Sequence, residues 1–256
     1  MKYMGSKNRF AKELLPIILK DRVDGQYYVE PFAGGMNMID KVTGNRIAND
    51  NNTYLIELWK GLTSGEVGVT DISKEYYSQV RDSFNLQDGK FSDFTIGWVG
   101  FMGSANGRFF DGGYSGKSNT KVGSVRDYIS ESIRNISKQV DSMKGVEFYS
   151  GNYTDFAIPN NSIVYCDIPY KNTKQYSTSK GFDHDKFWQW VREMSDKGHK
   201  VFVSEYSAPD DFECVWEKQT KSSLSANGVS GGSKASTEKL FTVKDRCLSI
   251  ELGGGM

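Results

Sequence analysis

The sequence predicts an α/β protein built on a doubly wound sheet. Three observations predict it: a strand, glycine-turn, helix, strand, acid, helix order over residues 27–62; a return of strand and helix alternation over 146–206; and the tetrapeptide Asp167-Ile168-Pro169-Tyr170 closing an apolar strand. The 256 residues suffice for one or two domains with a sizeable core. An apolar fraction of 38% beside 25% charged residues is the composition of a folded globular chain rather than a disordered one.

Residues 7–20 open the chain as a helix, because Phe10, Leu14, Leu15, Ile18 and Leu19 recur at helical spacing, with Pro16 the one break. Tyr27 to Glu30 form a short β-rich run ended by Pro31 and Gly34-Gly35, and the apolar stretch from Met36 to Val42 is expected to open a helix. A strand over 45–50 ends in Asp50, and a helix over 51–62 follows with Asn51 or Asn52 as its cap. Helices are expected at 73–85 and 91–102. Residues 102–124 then read as a long loop in which Gly, Ser and Asn alternate with aromatic and basic residues, a length that marks either function or disorder. A helix over 125–143 carries Ile129, Ile133, Ile136 and Val140 on one face. Beyond it the pattern predicts strands at 146–151, 162–170 and 200–206 with a helix at 184–197, and then strands at 212–218, 239–243 and 247–252. A polar loop separates the first two of those last three strands. The main α/β domain thus comprises 1–64 and 125–256, with a smaller, mainly helical insert over 65–124.

Several classes of function are excluded at the outset. Cys166, Cys214 and Cys247 form no CxxC pair, and with only two histidines they build no zinc site; they read as buried reduced thiols on strands, and no metal is expected. No apolar run is long enough to span a membrane, and the first residues lack the apolar core of a signal peptide, so a cytoplasmic protein is expected. With 32 basic and 32 acidic residues, any surface that attracts nucleic acid must be local. Residues 1–20 hold such a surplus, since Lys2, Lys7, Arg9, Lys12 and Lys20 stand against Glu13 alone; Arg108, Lys117, Lys121 and Arg126 form a second group, and Lys218, Lys221, Lys234 and Lys239 a third.

Two segments carry chemistry. In Glu30-Pro31-Phe32-Ala33-Gly34-Gly35 the glycines after a buried strand let backbone approach a ligand, although the spacing is not GxGxxG and a purely structural turn fits it equally well. Asp50 favours the ligand reading, because an acid ending the next strand about 20 residues on can bond ribose hydroxyls. The second segment is D-x-P-Y at 167–170. With 19 Asp, 5 Pro and 14 Tyr in the chain, chance yields this pattern about 0.02 times. Asp167 can accept a hydrogen bond from an amino group, the carbonyl beside Pro169 another, and Tyr170 can stack on a planar heterocycle. The alternative is a surface turn capped by Asp167 with Tyr170 packed locally.

Together KYMGSK (2–7), VEPFAGG (29–35), NRIAND (45–50) and VYCDIPY (164–170) resemble the Dam-like DNA adenine methyltransferases of phages, prophages and restriction–modification systems. FFDGGYSG (109–116), VFVSEY (201–206) and TEKLF (237–241) add weaker matches in the same order. The resemblance implies a Rossmann-like sheet dependent on S-adenosylmethionine, mainly parallel with one reversed strand near its end, and an inserted target-recognition domain. It implies that Tyr3, Lys7, Glu30, Phe32, Gly34, Asp50, Asp155 and Asp167 hold the cofactor, and that Asp167, Pro169 and Tyr170 handle a flipped adenine. Asn106, Arg108 and Lys117 become the candidates for contacts to double-stranded DNA. A monomer is expected, and a restriction endonuclease acting on the same site is a compatible partner. Ile168 stands where the family usually has proline, and Met36 where a third glycine is common; neither removes a chemical group. The rival readings are an amino methyltransferase acting on cytosine, RNA or a protein amide, a DNA-binding protein impaired in catalysis, and a NAD-type oxidoreductase, which the absence of GxGxxG sets aside.

Overall fold

The computed structural model describes residues 1–119, 123–171, 181–221 and 235–244. Seven strands form one sheet: β1 (Tyr28–Glu30), β2 (Arg46–Asp50), β5 (Val146–Ser150), β6 (Ile163–Asp167), β7 (Lys200–Glu205), β8 (Phe212–Lys221) and β9 (Ala235–Val243), in the order β5-β2-β1-β6-β7-β9-β8. Neighbours from β5 to β7 run parallel, and β9 alone is reversed, pairing antiparallel with both β7 and β8. This is the expected Rossmann-like sheet with one reversed strand near its end.

Alternation along the parallel strands divides the core between the two faces. Tyr28, Ala48, Ile163 and Tyr165 join a cluster with α1 (Ala11–Ile18), α2 (Thr53–Ser64), α4 (Asp93–Gly103) and α5 (Tyr128–Met143). Val29, Ile47, Val164, Cys166, Val201 and Val203 turn to the other face and meet Phe187, Trp190 and Val191 of α6 (His184–Asp196). Strands buried on both sides read as near-continuous apolar runs, as these do. α3 (Lys74–Leu86) and α4 contribute Tyr77, Val80, Phe94 and Trp98 to the first cluster, so residues of the 65–124 segment share a core with the sheet.

Side-chain caps set the helix starts. Asn52 accepts a hydrogen bond from the Leu55 amide, and Ser73, Ser92, Asp127 and Asp183 act in the same way for α3, α4, α5 and α6.

Four expectations need correction. The helix expected from Met36 is a 3-10 turn at Ile39–Lys41, because Met36 takes a left-handed φ of 54° and Val42 is already extended. Residues 7–9 form a separate 3-10 turn ahead of α1, capped by Ser6. The long loop contains β3 (Lys117–Asn119), which pairs antiparallel with β4 (Val125–Asp127), so α5 begins only at Tyr128. Cys214 is exposed on the edge strand β8, whereas Cys166 is buried as expected. Cys247 and the strand expected at 247–252 lie outside the described residues, as do Lys121, Lys234 and most of the polar loop before β9.

Arg46, buried at the start of β2, ties these layers together. Its guanidinium donates to the carbonyls of Ser142 (2.6 Å) and Lys144 (2.7 Å) at the end of α5, and to Ile39 O (3.3 Å) in the 3-10 turn. Arg46→Met would leave those carbonyls without their donor, and we expect it to lower the unfolding free energy by roughly 3 kcal/mol in urea titration. A change under about 0.5 kcal/mol would contradict this role.

Candidate active site

The order of strands reverses between β1 and β6: β2 lies on one side of β1, whereas β6 and β7 lie on the other. In open α/β sheets the carboxyl ends at such a point border a crevice. Asp50, at the end of β2, is buried there and fixed by two backbone amides, Gly34 N–H to Oδ2 and Asn52 N–H to Oδ1, both at 2.9 Å. Burial raises its pKa, and the two amides oppose that shift. The amino-terminal segment closes over the turn. A Cβ at Gly35 would lie 2.5 Å from Tyr3 Cβ and from the Asn37 amide nitrogen, so glycine alone permits this approach. Burial, with Asp50 and Asp167 nearby, drives the Tyr3 hydroxyl far above its ordinary range. Glu30 accepts the Tyr28 hydroxyl at 2.9 Å, and burial pushes its carboxyl up to about 8.

Asp167 ends β6 and keeps a quarter of its side chain exposed. Its Oδ1 lies 3.3 Å from the Lys7 ammonium, which in turn lies 3.2 Å from Glu238 Oε2 on β9. Tyr170 donates its hydroxyl to that same Oε2 at 2.8 Å, and the Lys7 nitrogen stands 4.4 Å from the centre of the Tyr170 ring. Burial pulls the lysine down, but the two carboxylates outweigh it and its net shift is upward. Asp167 also shifts upward, by desolvation first, against the opposing pull of Lys7. Ile168 turns its side chain into the α6-side core and Pro169 is half-buried, so the departure from the usual proline sits in apolar packing. Met36 is likewise fully buried in the opposite core.

The other candidates spread outward from this point. Phe32 packs on Tyr153, Phe182 and Phe187, with ring centres 5.0 to 5.7 Å apart. Asp155 is exposed in the loop after β5, whose last residue, Ser150, pairs with Asp50. Asn106 and Arg108 flank a turn seated on the amino-terminal segment, since a Cβ at Gly107 would fall 2.2 Å from Lys2 O. Lys117 belongs to a different element, the β3–β4 ribbon, where it lies 3.7 Å from Asp127. A groove of about 580 Å³ opens beside Asp50, lined by Asn51, Thr53, Arg81, Asn85 and Phe109 among others. Among the described residues no set of three or more His, Cys, Asp or Glu is arranged to hold a metal ion, and no helix is long and apolar enough to cross a membrane.

Residues 3–213 match the D12 class N6 adenine-specific DNA methyltransferases. The chain belongs to that family. It is a DNA adenine methyltransferase, and the D-x-P-Y segment, the Gly turn and residues 3–7 of the amino-terminal segment lie within the matched residues. Among solved structures, the chain is similar to a candidate methyltransferase, yhhF from Escherichia coli, at 11% identity over 91% of this chain and 83% of that one, with a TM-score of 0.32. It is also similar to SMU.472, a candidate methyltransferase in complex with SAH, at 11% identity and a TM-score of 0.35, covering 93% of this chain and 52% of that one.

Sequence reasoning missed three polar groups of the methyltransferase. Asn49 clamps the loops after β1 and β5 through its amide, which donates to Pro31 O and Gly151 O at 3.0 Å each. Glu205 accepts the amides of Lys171 (2.9 Å) and Tyr206 (2.6 Å) and so fixes the chain just after Tyr170. Glu238 is the third, and a lone acid on the apolar strand KLFTV and its flank was the available signal. One pH effect follows from Glu30. The folded protein holds a proton on it that the unfolded chain releases, so its ionisation costs stability as pH rises from the ordinary Glu range through about 8. The melting temperature of Glu30→Gln relative to wild type, measured without a methyl donor, should therefore climb between about pH 5 and 8. A difference that stays flat across that window would contradict a protonated Glu30.

Proposed function

We propose that the enzyme transfers a methyl group from S-adenosylmethionine to the 6-amino group of an adenine flipped out of duplex DNA. What supports this reading is the convergence of Asp50, Tyr3 and Asp167 at one crevice, with the D-x-P-Y acid and aromatic side by side. The donor set suits the cofactor: Asp50 and Asp167 supply carboxylates, and Glu30 a carboxyl, to a crevice whose buried lysine is already committed to Asp167 and Glu238, an environment that favours a cationic ligand. S-adenosylmethionine supplies an electrophilic methyl on a sulfonium. Asp50 is assigned to its ribose hydroxyls, Tyr3, Lys7, Glu30, Phe32 and Gly34 to the walls that hold it, and Asp155 to the adenine end.

Adenine's amino lone pair is delocalised into the ring, which makes it a weak nucleophile. Acceptance of its hydrogens by Asp167, through the oxygen that does not meet Lys7, and by the carbonyl beside Pro169 would stabilise positive charge growing on nitrogen. Tyr170 stacks on the ring and aligns it, and positioning supplies the remainder. Flipping costs a few kcal/mol, and stacking returns about 1–3 kcal/mol. Residues 65–124 are assigned to target recognition, with Asn106, Arg108 and Lys117 toward base edges or phosphates. We infer a monomer acting in the cytoplasm of a bacterial or phage-infected cell, compatible with a partner endonuclease of the same site.

The test is transfer of labelled methyl from S-adenosylmethionine to unmethylated duplex DNA, followed by nucleoside analysis and methylome sequencing. The expected product is N6-methyladenine at one short motif; label on cytosine, RNA or protein would overturn the reading. Asp167→Asn should lower kcat at least about 100-fold with an unchanged circular dichroism spectrum. Wild-type turnover in that variant would remove Asp167 from the chemistry.

A further inference from the structure

We propose that Glu238 is a positioning residue for methyl transfer, acting through Lys7 and Tyr170. The inference rests on the reaction proposed above and extends the site beyond residues 3–213, where the family match ends. Topology brings Glu238 there. Because β9 runs against β7, with Glu205 opposite Lys239 and Ser204 opposite Leu240, the early residues of β9 reach the carboxyl edge of the parallel strands. Glu238 is buried at that edge, and one oxygen, Oε2, receives both the Tyr170 hydroxyl at 2.8 Å and the Lys7 ammonium at 3.2 Å. Its lysine neighbours in register and sequence are occupied elsewhere: Lys218, its register partner on β8, pairs with Glu13, and Lys239 lies 3.7 Å from Glu217.

Two consequences follow. First, Glu238 anchors the rim of the Tyr170 ring through the hydroxyl bond. Tyr206 meets that ring edge-on at 4.6 Å, so the hydroxyl bond selects one rotation against an existing packing partner. Second, Glu238 divides the charge of Lys7. Were Asp167 the sole partner, the ammonium would draw fully onto the carboxylate needed to accept the adenine amino hydrogens and weaken it as an acceptor. Sharing Lys7 leaves Asp167 partnered without tying it up, although the second carboxylate raises the Asp167 pKa. Asp167 is faced by Lys7 and Tyr3 from the amino-terminal segment, Glu238 from β9, Glu30 from β1, Glu205 from β7, and Tyr165, Cys166 and Tyr170 from its own strand and the turn that follows.

The experiment measures kcat and its pH profile for wild type, Glu238→Gln and Glu238→Asp, with melting temperatures alongside. Glu238 raises the pKa of Asp167 by like charge, so losing it must lower that pKa. Glu238→Gln should therefore move the acid limb of kcat to lower pH and cut the plateau kcat at least about tenfold, with the KM for DNA changed less than about threefold. Glu238→Asp, which keeps the charge, should hold the acid limb near wild type and recover part of kcat; it carries the test if the glutamine variant does not fold. A glutamine variant with kcat within about twofold and an unmoved acid limb overturns the inference. So does a loss of kcat that only parallels a loss of melting temperature with the limb unmoved. An inactive wild type would instead overturn the proposed reaction, and the inference with it.

Discussion

The Lys7 ammonium between Asp167 and Glu238 is the interaction on which the site depends. It joins the amino-terminal segment, the end of β6 and the reversed strand β9 at one point. A buried cation is tolerable only if paired, and removing one partner of such a pair typically costs about 3–5 kcal/mol. Two carboxylates around one lysine leave net negative charge. Asp50 lies close enough to share with Asp167 the same electrostatic influence on Tyr3. The crevice is therefore built to attract a positively charged donor and to accept hydrogen bonds from an amino group. Both properties suit methyl transfer to adenine.

The rest of the fold serves to hold that crevice open and in register. Strand pairing sets Glu30 beside Ala48 and Asp167 beside Ser204, so the acids of neighbouring strands arrive at one edge by construction. The helices on either face fix the strands, while Arg46 and Asn49 secure the loops between them. The turn at 105–108, packed on Lys2, links the proposed recognition segment directly to the segment that carries Tyr3 and Lys7. Contact with DNA through that turn would thus be felt within a few residues of the reacting groups.

Much of this was legible in the sequence because the parallel strands are short apolar runs punctuated by acids. Asp50 and Asp167 stand at strand ends, where residue type and position alone suggest a role. The Met36 turn was misread because a methionine in left-handed backbone looks, by composition, like the start of an apolar helix. The β3–β4 ribbon escaped notice because Lys117–Asn119 is wholly exposed and has no apolar alternation to reveal it. Glu238 stood within the weaker TEKLF match, but its partners were not legible there. Its importance comes from the antiparallel pairing of β9, a tertiary relation that no local spacing encodes. Lys7 presented the same difficulty: the motif gave its place in the chain, but only the fold gave its partners.

The measurement that tests this account most directly is a crystal structure with S-adenosylhomocysteine and a DNA duplex containing the methylated motif. The account predicts ribose hydroxyls on the Asp50 carboxylate, the cofactor sulfur facing Asp167, and an extruded adenine stacked on Tyr170 with its amino group on Asp167 and the carbonyl beside Pro169. A cofactor seated away from Asp50, or an adenine that leaves Asp167 bonded to Lys7 alone, would contradict it.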